Sequence, residues 1–126
     1  MSRPEELRKR TKEFALRTIR LFRALPKTEE ARIIGRQVLK SGTSVAANYR
    51  ATCRARSKAE FVAKIGQVIE EADETAFWLE LLIEAQIVPE DRVQNLLSEA
   101  NELVAIFVAS RKTATGKNRQ ALPTAA

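Results

Sequence analysis

Between Phe61 and Leu82 the apolar and small positions fall at Phe61, Ile65, Val68, Ala72, Thr75, Leu79 and Leu82. The intervals alternate four and three residues, which keeps one stripe of a single long helix facing a neighbour. The spacing predicts a helix from Ser57 to about Ala85 or Ile87, with Ser57 and Glu60 as a capping box. Similar stripes recur along the chain. Leu7, Thr11, Phe14, Thr18, Leu21, Phe22 and Leu25 share one face of a helix from about Arg3 to Leu25, entered through Ser2 and Glu5 and ended by Pro26. Ile34, Val38, Val45 and Tyr49 mark a second helix starting near Thr28, followed by Glu29 and Glu30 at the positive end of its dipole. Val93, Leu97, Ala100, Val104 and Phe107 mark a fourth, opened by Pro89-Glu90-Asp91. No period-two alternation persists, so no strand is expected. From Thr113 the periodicity is lost, and TATGKNRQALPTAA reads as a flexible basic tail.

Four amphipathic helices with short connections predict an all-α fold: an antiparallel up-down-up-down four-helix bundle over residues 1–112, with a tail over 113–126. The middle of helix two, Ser41-Gly42-Thr43-Ser44 and then Ala46-Ala47, is unusually small. Gly42 weakens a helix interior by about 1 kcal/mol relative to Ala. Close approach of a neighbouring helix is the expected compensation, and a kink or break is the alternative. Asn48, near the same seam, is expected to find partners in the neighbouring backbone or the hydroxyls from Ser41 to Ser44, holding register.

The C-terminal half of helix three is apolar on more than one side. Phe77 and Leu81 point away from the seam and Trp78 flanks it, so these three are candidates for a contact between copies of the chain. Leu16 and Ile106 also sit off their seams.

A chain of 126 residues suits one domain with a modest core. Cys53 is the only cysteine, which rules out an intrachain disulfide and fits a reducing compartment. No apolar run approaches the roughly 20 residues that span a bilayer, and the N-terminus does not read as a secretory signal. A cytoplasmic location without membrane contact is the expectation.

Charge changes the picture more. Residues 1–56 hold fifteen Lys and Arg against five acids, a net +10, whereas residues 57–87 hold two against seven, a net −5. Some of that asymmetry serves pairing between helices or subunits, but the surplus points to an anionic partner, with RNA or DNA the leading candidate. Arg50, Arg54, Arg56 and Lys58 flank the turn between helices two and three, beside the exposed N–H groups of the helix-three start, where a phosphate could be held. Arg10, Arg17 and Arg20 on the outer face of helix one extend this candidate surface. The competing account is that such arginines favour a helix C-terminus and pair with nearby acids. Tyr49 is the one aromatic residue near the corner, so base stacking is not indicated. Binding should be backbone-driven, weakly sequence-specific and strongly salt-dependent.

Enzymatic chemistry is not expected. There is no histidine, which removes the commonest general base and transition-metal ligand. Glu70, Glu71, Asp73 and Glu74 fall on outer or flanking arcs of helix three and read as a solvated or salt-bridged face, with no metal and no cofactor implied. Gly42-Thr43-Ser44 lacks both the strand and the spacing of a phosphate loop.

The segments Ser41-Gly42-Thr43-Ser44-Val45-Ala46-Ala47-Asn48, Arg56-Ser57-Lys58-Ala59-Glu60-Phe61, Glu71-Ala72-Asp73-Glu74-Thr75 and Trp78-Leu79, in this order, resemble the bacterial four helix bundle protein family. This family is also known as the ribosomal-RNA intervening-sequence proteins, because some members are encoded within large-subunit rRNA genes. The resemblance spans nearly the whole chain to about Lys112. It implies an antiparallel four-helix bundle and a homo-oligomer, a homopentamer by analogy with relatives that form pentameric rings. It also implies kinship with the basic accessory proteins of diversity-generating retroelements, which bind nucleic acid and a reverse transcriptase. The family supplies no catalytic residues. This chain departs from the pattern at Ala51-Thr52, where many members have Glu-Gly. The expected function is a non-enzymatic, homo-oligomeric module that binds RNA or DNA. The alternative is a protein-binding scaffold or accessory subunit, for example of a retroelement reverse transcriptase.

Overall fold

The computed structural model describes residues 3–116. They form four helices: α1 Arg3–Ala24, α2 Glu29–Thr52, α3 Lys58–Glu84 and α4 Glu90–Thr115. Ser2 and residues 117–126 lie outside the described residues, and with them the first capping box and most of the expected tail. Each helix packs on the next in sequence, α1 on α2, α2 on α3 and α3 on α4, while α4 returns to α1 only loosely. Short turns joining sequential neighbours make this the antiparallel up-down-up-down bundle.

Local chemistry sets the boundaries. Thr28 caps α2 by accepting from the Ala31 N–H at 3.3 Å, and Ser57 caps α3 by accepting from the Glu60 N–H at 3.0 Å. The reciprocal arm of the α3 box is displaced by one residue: Glu60 Oε1 accepts from the Arg56 N–H at 2.6 Å, not from Ser57. α3 ends with Gln86 in the left-handed region at φ 59. The Ile87 N–H reaches the Leu82 carbonyl at 3.0 Å and the Gln86 N–H reaches Ile83 at 2.9 Å. These are the two bonds of a Schellman stop. α4 runs three residues beyond the expected boundary at Lys112, to Thr115, because the true stop signal is Gly116 at φ 77. Loss of apolar periodicity marked the end of the stripe and not the end of the helix.

α2 is one unbroken helix through Gly42. A Cβ placed on Gly42 would lie 2.5 Å from Thr18 Cγ2 and 3.0 Å from Thr18 Cβ, so the bare backbone is what lets α1 and α2 close up. Close approach, and not a break, is the outcome at this position.

The core holds Phe14, Val38, Val45, Ile65, Val68, Leu79, Leu82, Val93, Leu103 and Phe107, all fully buried. Tyr49 on α2 and Phe107 on α4 stack across it with ring centroids 5.0 Å apart. On α3, Ile65, Val68, Ala72, Thr75, Leu79 and Leu82 are buried as the spacing predicts, and Phe61 is partly covered. On α4, Val93, Ala100 and Phe107 are buried as expected, but Leu96 and Leu103 take the inward places expected for Leu97 and Val104, which are only partly covered.

Buried hydroxyls are satisfied within the bundle. Thr11, Thr18 and Thr52 donate to the carbonyls of Leu7, Ala15 and Asn48 at 2.7 to 2.8 Å. Ser41 donates to Gln37 and accepts from Thr75 Oγ1 at 2.8 Å, the polar link between α2 and α3. Thr75 Oγ1 also lies 2.7 Å from the Glu71 carbonyl, so its single proton is shared. The Ser41 hydroxyl therefore serves Thr75 and not Asn48, which is only half-buried. That corrects the register role expected for Asn48.

Candidate nucleic-acid interface

Because α1 and α2 run antiparallel, the first half of α1 lies beside the last half of α2. On α1, residues 5, 8, 9 and 12 flank the buried positions 7, 11 and 14. On α2, residues 43, 46, 47 and 50 flank 42, 45 and 49 in the same way, and Arg54 follows in the turn just past the helix end. The small side chains of Thr43, Ala46 and Ala47 leave an open groove of about 830 Å³ between the two ridges. Its walls carry Arg8, Lys9 and Lys12 from α1, Arg50 from α2 and Arg54 from the turn after it, against one acid among the described residues, Glu5. None of these five cations makes an ion pair with a described residue.

Other arginines are neutralised. Arg10 forms a bidentate pair with Glu99 at 2.7 and 2.9 Å and reaches Glu102 at 2.5 Å, bridging the loosely packed α1–α4 edge. The hydrogen bonds to Glu99 and then Glu102 raise its pKa still further, so the guanidinium is held permanently charged. Arg20 meets Glu13 at 3.1 Å and Arg56 meets Glu60 at 3.8 Å.

Of the seven cations singled out by the sequence, Arg50 and Arg54 line the groove. Arg10, Arg20 and Arg56 are paired with carboxylates, Arg17 is half-buried outside the groove, and Lys58 sits exposed at the start of α3. The expected corner is thus divided, with its Arg50 and Arg54 half facing α1. Arg8, Lys9 and Lys12 were the groove residues missed. The helical wheel carried the signal, since Arg8 and Lys12 fall on the α2 side of α1, and Arg10 and Arg17 on the other.

Tyr49 lies beneath the groove wall, and burial, then the neighbouring Cys53 thiol, pushes its phenol well above the usual range; Arg8 and Arg3 act in opposition. No group of three His, Cys, Asp or Glu among the described residues could hold a metal ion. No helix among them is long and apolar enough to cross a membrane.

The outer face of α3 is a second surface. Phe77 is 49% exposed and meets Trp78 edge-on with centroids 5.0 Å apart. Trp78 Nε1–H donates to Glu74 Oε2 at 3.0 Å, and Trp78 and Leu81 are both half-buried. Leu16 is exposed as expected, Ile106 is partly covered, and Ile33, exposed at 52%, was not anticipated. Glu71 is half-buried; burial first, then Glu74 and Glu70, pushes its carboxyl up against the opposing pull of Lys40.

A family model described as 23S rRNA-intervening sequence protein matches residues 5–109. The structure is similar to a crystal structure from Bacteroides thetaiotaomicron, described as a protein with unknown function from the S23 ribosomal protein family. The TM-score is 0.81 at 29% identity, over 88% of this chain and 99% of that one. No curated relative matches the chain. With the match running through all four helices, the chain belongs to the 23S rRNA-intervening sequence protein family.

Proposed function

We propose that this protein is a non-enzymatic, cytoplasmic, homo-oligomeric module that binds RNA or DNA through phosphate contacts in the α1–α2 groove. The observation that carries this reading is the gathering of Arg8, Lys9, Lys12, Arg50 and Arg54 around a small-residue floor with no carboxylate partners among the described residues beyond the adjacent Glu5. Unpaired cations release counterions when they meet phosphates, which is the main source of sequence-independent affinity. Repetition of the groove in an oligomer, with the pentamer of the family resemblance as the working number, would multiply that affinity. The test is a titration of a labelled oligonucleotide between about 50 and 200 mM salt. Binding that weakens steeply with salt supports the reading; absence of binding at the lowest salt removes it.

The exposed Phe77, with Trp78 and Leu81 beside it, favours a second reading as a protein-binding scaffold or accessory subunit. Co-purification from the native host with nucleases present separates the two. A partner retained after nuclease treatment supports the scaffold.

A further inference from the structure

The groove also constrains which form of nucleic acid fits it, a step that rests on the phosphate-binding reading above. Its cations stand in two rows. Arg8 and Lys12 are four residues apart on α1, which spaces their charges by about 6 Å along the helix, and Arg50 in the last turn of α2 and Arg54 in the turn just after it form the facing row. The floor between the rows offers methyl groups, the Thr43 hydroxyl and the Cys53 thiol, and no aromatic ring among the described residues lines the groove. A flexible single strand laid there would lose backbone freedom, and no ring would stack on its bases in return. A duplex arrives already ordered, stiff over about 150 base pairs, and presents one charge per roughly 1.7 Å of axis. We infer that the groove takes the phosphodiester backbone of double-stranded nucleic acid, one strand's phosphates lying between the two rows of cations, and discriminates against single strands.

The chemistry is shared by duplex DNA and duplex RNA, so the experiment carries both. The full chain is titrated with labelled duplexes of about 24 base pairs, in DNA and RNA form, and with their separated strands, between about 50 and 200 mM salt. At least one duplex should bind about tenfold or more tighter than its own single strands, with a slope of log affinity against log salt near −4, as four to five phosphate contacts require. The tighter of the two duplexes identifies the source. The double substitution Arg50→Glu, Arg54→Glu, at two exposed positions, should keep the helix content, lower duplex affinity by at least about tenfold and flatten the slope by about 2. If that variant does not fold, Arg50→Gln with Arg54→Gln reads the same change in slope. Single strands that match or exceed both duplexes, with binding still lost on these substitutions, overturn the duplex inference and leave phosphate binding standing. Duplex binding that survives the substitutions overturns the inference as well, because the site then lies elsewhere. Failure of every nucleic acid to bind at the lowest salt removes the underlying reading itself.

Discussion

Replacing Gly42 by Ala sets two effects of opposite sign against each other. Helix propensity alone favours Ala by about 1 kcal/mol. Against it stands the contact with α1. The added methyl would lie 2.5 Å from Thr18 Cγ2 and 3.0 Å from Thr18 Cβ. Rotation of Thr18 can move Cγ2 but not Cβ, and Thr18 is fully buried with its hydroxyl tied to the Ala15 carbonyl at 2.7 Å. The helices must therefore part by some tenths of an ångström along their tightest contact. Overpacking of this kind costs about 1–3 kcal/mol, and backbone-linked clashes fall at the upper end. The net expectation is a loss of about 1–2 kcal/mol, or roughly 4–8 °C in Tm for a domain of this size. Urea and thermal melts followed by circular dichroism read it directly. Thr18→Ala should cost less in the Gly42→Ala background than alone, with a coupling of about 1 kcal/mol. Gly35→Ala is the internal control, because the atom it meets at 2.5 Å is Cδ1 of Leu25, the far end of a side chain that can turn, so its cost should be smaller. A Gly42→Ala protein more stable than the parent would show that propensity outweighs the contact, and the account of this seam would be wrong.

Three further outcomes can be measured. Gln86→Gly should stabilise by about 0.5–1 kcal/mol in urea melts, since glycine adopts φ 59 without the strain of a Cβ; no gain would mean the Schellman stop carries little strain. The Glu71 carboxyl is held above its ordinary 4.5, so on raising the pH the unfolded chain releases this proton first, and stability is lost as pH climbs from that value through the folded pKa. Glu71→Gln should thus match the parent at more acid pH and exceed it in Tm at neutral pH, and identical pH profiles would refute the burial argument. Phe77→Asp, like Trp78→Asp or Leu81→Asp, should lower the mass of the proposed oligomer while keeping helix content, and an unchanged mass by light scattering would place the contact elsewhere.

The four helices and the buried α3 stripe were legible in the sequence because burial imprints itself as period. The close approach at Gly42 was legible because a glycine in a helix interior needs a reason. Which of two adjacent apolar residues on α4 turns inward was not. Positions 97 and 104 fit the alternating spacing of α4 as well as 96 and 103 do, and only packing against α3, with Phe107 set against Tyr49, decides for Leu96 and Leu103. The groove was half legible. Arg50 and Arg54 stood out as a cluster in sequence, whereas Arg8, Lys9 and Lys12 reach them only because α1 and α2 lie side by side. Pairing was the least legible feature: Glu99 and Glu102 lie 89 and 92 residues from Arg10, and no local pattern announces such a bond.

Arg8 and Arg10 turn this distinction into a measurement. Two residues apart on α1, they point about 200° from one another around the helix. Arg8 lines the groove without a carboxylate partner among the described residues, and Arg10 is held by Glu99 and Glu102 on α4. A count of charge along the chain treats them alike. Arg10→Ala should lower stability by about 1 kcal/mol, because a bidentate, partly covered pair at a loosely packed edge is lost, and the loss should shrink in about 1 M salt. It should leave the salt slope of nucleic-acid binding unchanged. Arg8→Ala should do the reverse, flattening that slope by about 1 with little effect on the melt. Equal slopes for the two variants would mean that binding responds to net charge, and that the groove has no part in it.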